Sequence, residues 1–76
     1  MRFKVLAFDK RSDELLFSEY FECEINLLRK IFSLDSENPM YDSYPVTKSN
    51  KDVISEFTEC VLDLERYDYF VELNEN

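Results

Sequence analysis

Glycine and histidine are both absent from the 76-residue sequence. Without glycine the chain has no glycine-rich phosphate-binding loop, and its turns must rely on Asn, Asp, Ser and two prolines. Without histidine it lacks the commonest general base near neutral pH, and Ser–His or Cys–His catalytic pairs are impossible. Because no other catalytic motif is visible, we expect a protein that is not an enzyme.

Cysteine is scarce, with only Cys23 and Cys60. Two cysteines without CxxC spacing are too few for a disulfide framework. A zinc site would have to combine these two thiols with carboxylates, which fits the usual ligand sets poorly, and the acids lack the EF-hand spacing with its glycine. The sequence therefore predicts two free thiols that pack as small apolar side chains, with no metal and no cofactor.

Long apolar runs are missing as well. The apolar segment at the N-terminus is interrupted by Lys4 and closed by Asp9, unlike the uninterrupted core of a signal peptide. No stretch approaches the roughly 20 apolar residues of a membrane span. We expect a cytoplasmic protein that forms a single domain over residues 1–76.

Aromatic residues are abundant, with seven Phe and five Tyr, and they allow a short chain to bury a core. Residues 3–9 and 15–21 are rich in β-formers and are separated by a polar connector. This pattern predicts a β-hairpin whose turn is formed by Asp9, Ser12 and Asp13.

Two amphipathic segments follow the hairpin. Residues 24–34 repeat apolar side chains at helical spacing, and a second helix is predicted to begin near Ser49 and to extend to Leu64. Residues 35–48 contain both prolines and no periodicity, which is typical of a loop, and residues 67–73 alternate as a strand. The predicted fold is α+β and two-layered: a three-stranded, mostly antiparallel sheet with two helices on one face, in the order β-β-α-α-β.

The net charge is −8, and most of the excess of acids over bases lies in the second half of the chain. Residues 1–30 carry six acidic and six basic side chains, whereas residues 52–76 carry eight acidic side chains against Arg66 alone. A field of one sign speeds association with an opposite field and repels nucleic acid and anionic membranes. We therefore expect a basic protein as the partner, and neither nucleic acid nor a membrane.

Four acids share one face of the second predicted helix, opposite its apolar side chains: Asp52, Glu56, Glu59 and Asp63. Like charges at this spacing repel by roughly a few tenths of a kcal/mol per pair. A row of acids without an interleaved lysine is therefore a candidate for partner binding. The alternative is the ordinary solvated face of an amphipathic helix.

Two further segments combine acids with tyrosines. In the proline-bounded loop these residues are Asp35, Glu37, Tyr41, Asp42 and Tyr44, and before the last strand they are Glu65, Tyr67 and Asp68. Tyrosine offers a large contact area at low entropic cost, and prolines restrict a loop before it binds. Together with the acidic row, these residues are predicted to form one continuous negative surface. The alternatives are that the loop tyrosines fold back over the sheet and that the second segment is a helix-to-strand corner.

The segments at residues 38–47 and 62–70 resemble those of small acidic bacterial immunity proteins, which neutralise toxins of contact-dependent growth inhibition and related interbacterial systems. The resemblance implies tight capture of the C-terminal toxin domain of a cognate effector, commonly a basic nuclease. The immunity protein would cover the active site or substrate groove, with its acids in the place of the phosphate backbone. Such families share no catalytic motif, so the resemblance assigns no functional residues.

Two other functions fit the same acidic chain. An inhibitor that mimics nucleic acid would act on several DNA-binding proteins, whereas an immunity protein acts on one cognate toxin. An acidic adaptor subunit of a larger assembly would instead be encoded beside metabolic or ribosomal genes.

Overall fold

A β-hairpin opens the fold, with β1 at Arg2–Asp9 and β2 at Leu15–Glu22. In this computed structural model, which describes residues 1–74, the two strands are antiparallel and lie in one register from Arg2 opposite Glu22 to Ala7 opposite Phe17. The register then shifts, so that Leu16 is an extra residue in β2. The hairpin predicted over residues 3–9 and 15–21 is confirmed.

The hairpin turn is closed by aspartates in the absence of glycine. The carboxylate of Asp9 accepts a hydrogen bond from the backbone N–H of Arg11 at 2.7 Å, and the carbonyl of Asp9 accepts one from the N–H of Asp13 at 2.9 Å. Asp13 has a positive φ of 60°. Asp and Asn tolerate this left-handed conformation better than most residues, which explains the local sequence.

The first helix, α1, spans Ile25–Ile31 and is shorter than the helix predicted over residues 24–34. Its end is a Schellman motif, in which the N–H of Ser33 donates to the carbonyl of Lys30 and the N–H of Leu34 donates to the carbonyl of Arg29. Ser33 holds the left-handed position of this motif with a φ of 57°. The helix therefore stops because the backbone reverses at Ser33, although apolar side chains continue beyond it.

The sheet has four strands, and the prediction of three strands is wrong. A two-residue strand, β3 at Tyr44–Pro45, lies inside the predicted loop and pairs antiparallel with β4 at Tyr67–Leu73. The N–H of Val46 extends this pairing by donating to the carbonyl of Tyr69 at 2.9 Å. The order along the chain is β-β-α-β-α-β, and the order across the sheet is β2-β1-β4-β3.

The second helix, α2, spans only Lys51–Ser55, so the prediction of a helix extending to Leu64 is wrong. After α2, two backbone N–H groups donate hydrogen bonds to side chains of the sheet. The N–H of Glu59 donates to the carboxylate of Glu19 at 2.7 Å, and the N–H of Asp63 donates to the hydroxyl of Tyr69 at 3.1 Å. In this segment these bonds stand in the place of helical backbone bonds.

The core lies on one face of the sheet. Phe3, Val5 and Ala7 of β1 are fully buried, and Leu28 of α1 and Ile54 of α2 pack in the same cluster. Phe21, Tyr69 and Val71 contribute to it from the neighbouring strands, which makes the domain a two-layer α+β structure. Side chains that alternate with these point to the opposite face, which the helices leave uncovered.

Both helices depend on this packing. With seven and five residues they are well below the length at which an isolated helix is stable in water. Their burial against the sheet is therefore what holds them. Within residues 1–74, no helix has the length and apolar character that crossing a membrane requires.

The left-handed position at Ser33 generates a stability prediction. Replacing Ser33 with Gly removes the Cβ that disfavours positive φ, and we expect the free energy of unfolding to rise by about 0.5–1 kcal/mol, measured by urea denaturation. The same change at Ser55, the last residue of α2, should lower it by about 0.5 kcal/mol, since glycine weakens a helix. Destabilisation by both substitutions would contradict this account.

Candidate protein-binding surface

The proline-bounded loop is held in one conformation by Asn38. Its side-chain oxygen accepts hydrogen bonds from the N–H of Met40 at 2.8 Å and from the hydroxyl of Tyr44 at 3.3 Å. Its backbone carbonyl accepts a third from Nε of Arg29 on α1, at 2.8 Å. Met40 is fully buried although its φ is 59°, an uncommon value for a residue with a long side chain. The loop is thus ordered by contacts of its own before any partner binds.

Four of the predicted binding residues lie around one concavity of this loop: Asp35, Glu37, Tyr41 and Asp42. The carboxylate of Asp35 accepts the N–H of Glu37 at 3.1 Å, which joins the two acids in a tight turn. Tyr41 is 73% exposed. We name these four residues the acidic loop surface. It combines three negative charges with one large exposed aromatic ring.

Tyr44 has a different position from Tyr41. It lies in β3 and is half-buried, and the centroid of its ring is 5.4 Å from that of Phe32, beyond the end of α1. The predicted alternative, in which loop tyrosines fold back over the sheet, therefore applies to Tyr44 and not to Tyr41. The ring of Tyr44 supports the loop from beneath.

An apolar groove adjoins the acidic loop surface, and the sequence did not predict it. Met1, Ile25 and Leu73 line it together with Pro39 and Tyr41, and Arg2 and Arg29 lie at its sides. Pro39 and Tyr41 border both concavities. The groove joins four segments that are far apart in the sequence, so no local pattern could have revealed it.

The predicted acidic row does not exist as a helical face. Asp52 lies in the first turn of α2 and Glu56 caps its C-terminal end, whereas Glu59 and Asp63 follow in non-helical chain. Asp63 is half-buried, and its carboxylate accepts the N–H of Glu65 at 3.2 Å. Asp63 therefore forms a turn, while Asp52, Glu56 and Glu59 remain exposed acids.

The corner before β4 carries mixed charge. Lys10 forms an ion pair with Asp68 at 2.7 Å, and the guanidinium of Arg66 lies 5.8 Å from the centroid of the Tyr67 ring. Glu65 borders a concavity that Lys10, Arg11 and Arg66 also line. The predicted continuous negative surface is therefore interrupted at Glu65, Tyr67 and Asp68, because the hairpin turn brings two of its cations to this corner.

A second group of acids, which the sequence pattern did not indicate, lies in β2 and the residues that flank it. Residues 12–24 contain five acids and no lysine or arginine: Asp13, Glu14, Glu19, Glu22 and Glu24. The sequence did not reveal this group of acids, because the six bases of residues 1–30 balance the six acids of the same range. Because β2 is an outer strand, one of its edges has no strand beside it, although Arg2 of β1 lies opposite Glu22 and its guanidinium is 4.5 Å from the centroid of the Tyr20 ring.

Few of the acids have an ionic partner. Within the described residues the ion pairs are Lys4–Glu72 at 3.9 Å and Lys10–Asp68 at 2.7 Å. Sixteen of the seventeen acidic side chains belong to residues 1–74, so fourteen of them form no ion pair there. With seventeen acidic and nine basic side chains, the protein carries a net negative field.

Both cysteines are free, as predicted, with Cys23 buried and Cys60 half-buried. Burial raises the pKa of both thiols above the usual value, so neither has the character of an activated thiolate. Burial likewise raises the pKa of Tyr69. In the part of the chain that the structure describes, no group of three or more Cys, Asp or Glu side chains is placed to hold a metal ion.

The fold and surface define a small α+β domain with an ordered, exposed acidic loop and an acidic outer strand. The chain belongs to the family described as Domain of unknown function (DUF7683), whose model matches residues 2–72. A comparison with curated proteins gives no match. The family description carries no activity, so the resemblance to immunity proteins stays a prediction.

The central role of Asn38 can be tested by replacing it with Ala. The buried N–H of Met40 would lose its acceptor, and we expect the free energy of unfolding to fall by about 1–3 kcal/mol, measured by urea denaturation. Amide exchange at Met40 should become faster. The control is Asn26→Ala, because Asn26 is exposed and its side chain accepts one bond from Arg29 at 2.9 Å. If the two variants were equally stable, Asn38 would not organise the loop.

Proposed function

We propose that this domain is an immunity protein that binds and neutralises one cognate basic toxin domain, most simply a nuclease. It would act by covering the active site or substrate groove of the toxin, without catalysis of its own. The cytoplasm is part of the proposal, because two free cysteines suit a reducing compartment. The resemblance described above supports a toxin as the partner, and the charge distribution supports a basic surface on that toxin.

The observation that carries the proposal is the set of fourteen acids without an ion pair in residues 1–74. An uncompensated field of this sign accelerates encounter with a basic surface above the unsteered rate of about 10⁵–10⁶ M⁻¹s⁻¹. The same field repels phosphate backbones, which disfavours nucleic acid as the direct ligand.

The acidic loop surface is the favoured centre of the contact. Its three acids would meet cations that otherwise hold the phosphates of a nucleic acid, and Tyr41 would add an aromatic anchor between them. Since Asn38 and the buried Met40 already order the loop, little conformational entropy would be lost on binding. The adjoining apolar groove provides area that a complementary partner could fill.

Co-expression tests the proposal directly. The gene immediately upstream is expected to encode a toxin, and its C-terminal domain should lose toxicity when this protein is co-expressed. The purified pair should bind one-to-one with a dissociation constant on the order of nanomolar in calorimetry. A toxin domain that stays toxic, or an upstream gene of metabolic or ribosomal function, would contradict immunity.

The position of the contact can be tested with two matched charge reversals. Glu37→Lys alters the acidic loop surface, whereas Glu65→Lys makes the same charge change at the mixed corner near Arg66. We expect Glu37→Lys to slow association with the toxin domain about tenfold at low salt, and Glu65→Lys to slow it less, as measured by stopped-flow fluorescence. Equal effects would show that only net charge matters and would remove the loop from the contact.

A further inference from the structure

The outer strand β2 presents unpaired backbone groups along one side. The N–H of Cys23 donates to the carbonyl of Met1 at 3.1 Å, and the terminal amine of Met1 donates to the carbonyl of Cys23 at 3.2 Å. Bonded pairs alternate along an antiparallel ladder, so Phe21 and Glu19 also bond to β1. The N–H and C=O groups of the residues between them, Ser18, Tyr20 and Glu22, therefore point away from the sheet.

The two edges of the sheet differ in their protection. At one edge, β3 has two residues, one of which is Pro45. Short strands and prolines are the usual means by which proteins block pairing with another chain. At the other edge, β2 has eight residues with no proline and no lysine. The fold thus blocks one edge and leaves the other ready to accept a strand.

Apolar side chains accompany the free backbone of β2. Leu15, Leu16, Phe17 and Tyr20 are each 40–53% exposed. Phe17 lies opposite the buried Ala7 and so on the helical face, whereas Tyr20 lies opposite Lys4 on the uncovered face. An added strand would therefore find apolar surface on both sides of the sheet.

Charge identifies the kind of strand that fits. Residues 12–24 carry five acids and no base, and the N–H of Glu59 on the carboxylate of Glu19 brings another acid beside the strand. A second copy of this chain would bring the same acids to this edge; antiparallel pairing of β2 with itself about Ser18, for example, sets Glu14 opposite Glu22. Like charges opposite one another destabilise a sheet, whereas opposite charges stabilise it.

We propose that β2 binds an extended, lysine- or arginine-bearing segment of the partner protein, which adds to the sheet as a fifth strand. The inference rests on the proposed function for the basic character of the partner. Hydrogen bonds to the backbone of Ser18, Tyr20 and Glu22 hold the segment, and its cations lie on the face of the sheet that carries Glu19, opposite Val5.

The probe is a blocked peptide of alternating lysine and valine, about eight residues long, which is an ordinary strand length. Its control is the same peptide with every backbone nitrogen methylated, which keeps the charge and removes the donors of both edges. At a peptide concentration about tenfold above the dissociation constant, we expect amide exchange at Ser18, Tyr20 and Glu22 to slow about tenfold. The methylated peptide should leave the exchange rates of these amides unchanged.

A proline substitution provides a second test. Ser18→Pro removes an N–H that points away from β1, so the ladder keeps its bonds and the variant should fold. Affinity for the lysine–valine peptide should fall about tenfold or more, whereas Ser18→Thr, which keeps the N–H, should bind as the unaltered protein does. If Ser18→Pro does not fold, the exchange measurement on the unaltered protein decides the question.

Four results would overturn the inference. Equal binding of both peptides, or protection confined to residues 35–42, would show attraction by charge alone and would leave the proposed immunity function standing. The absence of any binding would remove the strand site. Protection of Ser18, Tyr20 and Glu22 that grows with protein concentration, without peptide, would show that a second copy covers the edge. Failure of immunity itself is judged separately, by the toxicity of the co-expressed toxin domain.

Discussion

Every layer of this domain depends on the hydrogen bonding of β1 on both of its sides. Alternate residues of β1 bond to β2 and to β4, while Phe3, Val5 and Ala7 supply the fully buried surface on which both helices rest. Neither helix is long enough to persist without that surface. The central strand β1 therefore bonds to two neighbouring strands of the sheet and also contributes the buried side chains against which the helices pack.

The absence of glycine leaves a recognisable mark on the backbone. Asp13, Ser33 and Met40 all adopt positive φ, and each is placed where the chain must reverse or bend. A residue with a Cβ in this conformation costs about 1–2 kcal/mol. Asp13 belongs to the hydrogen-bonded hairpin turn, and Ser33 is part of a helix-ending motif. Met40 is compensated by burial of its side chain and by the bond from its N–H to Asn38.

Local patterns predicted the parts of the fold that local interactions determine. The hairpin and β4 follow from alternation and turn residues, and α1 follows from helical spacing, so these were predicted well. The length of α2 was not, because its end depends on Glu19 and Tyr69, side chains distant in sequence that accept hydrogen bonds from the later segment. The strand β3 was missed because two residues carry no periodicity.

In the candidate site, too, groupings of sequence neighbours were predictable and groupings that depend on the fold were not. The grouping of Asp35, Glu37, Tyr41 and Asp42 was predictable because these residues are neighbours in the sequence. The row from Asp52 to Asp63 required a helix longer than α2, which ends at Ser55. The charge at the corner near Asp68 depends on Lys10, a cation distant in the sequence. The group of acids around β2 could not be recognised without the topology, because only the structure shows that β2 is an outer strand.

The unequal edges of the sheet also bear on assembly. An exposed edge at each end would allow copies to stack indefinitely, as in filaments that grow by repeated strand addition. Here the short β3 and Pro45 terminate one end, so growth through β2 stops after a single addition. The sheet therefore accepts at most one added strand, and the proline that bounds the loop also restricts strand addition at the β3 edge.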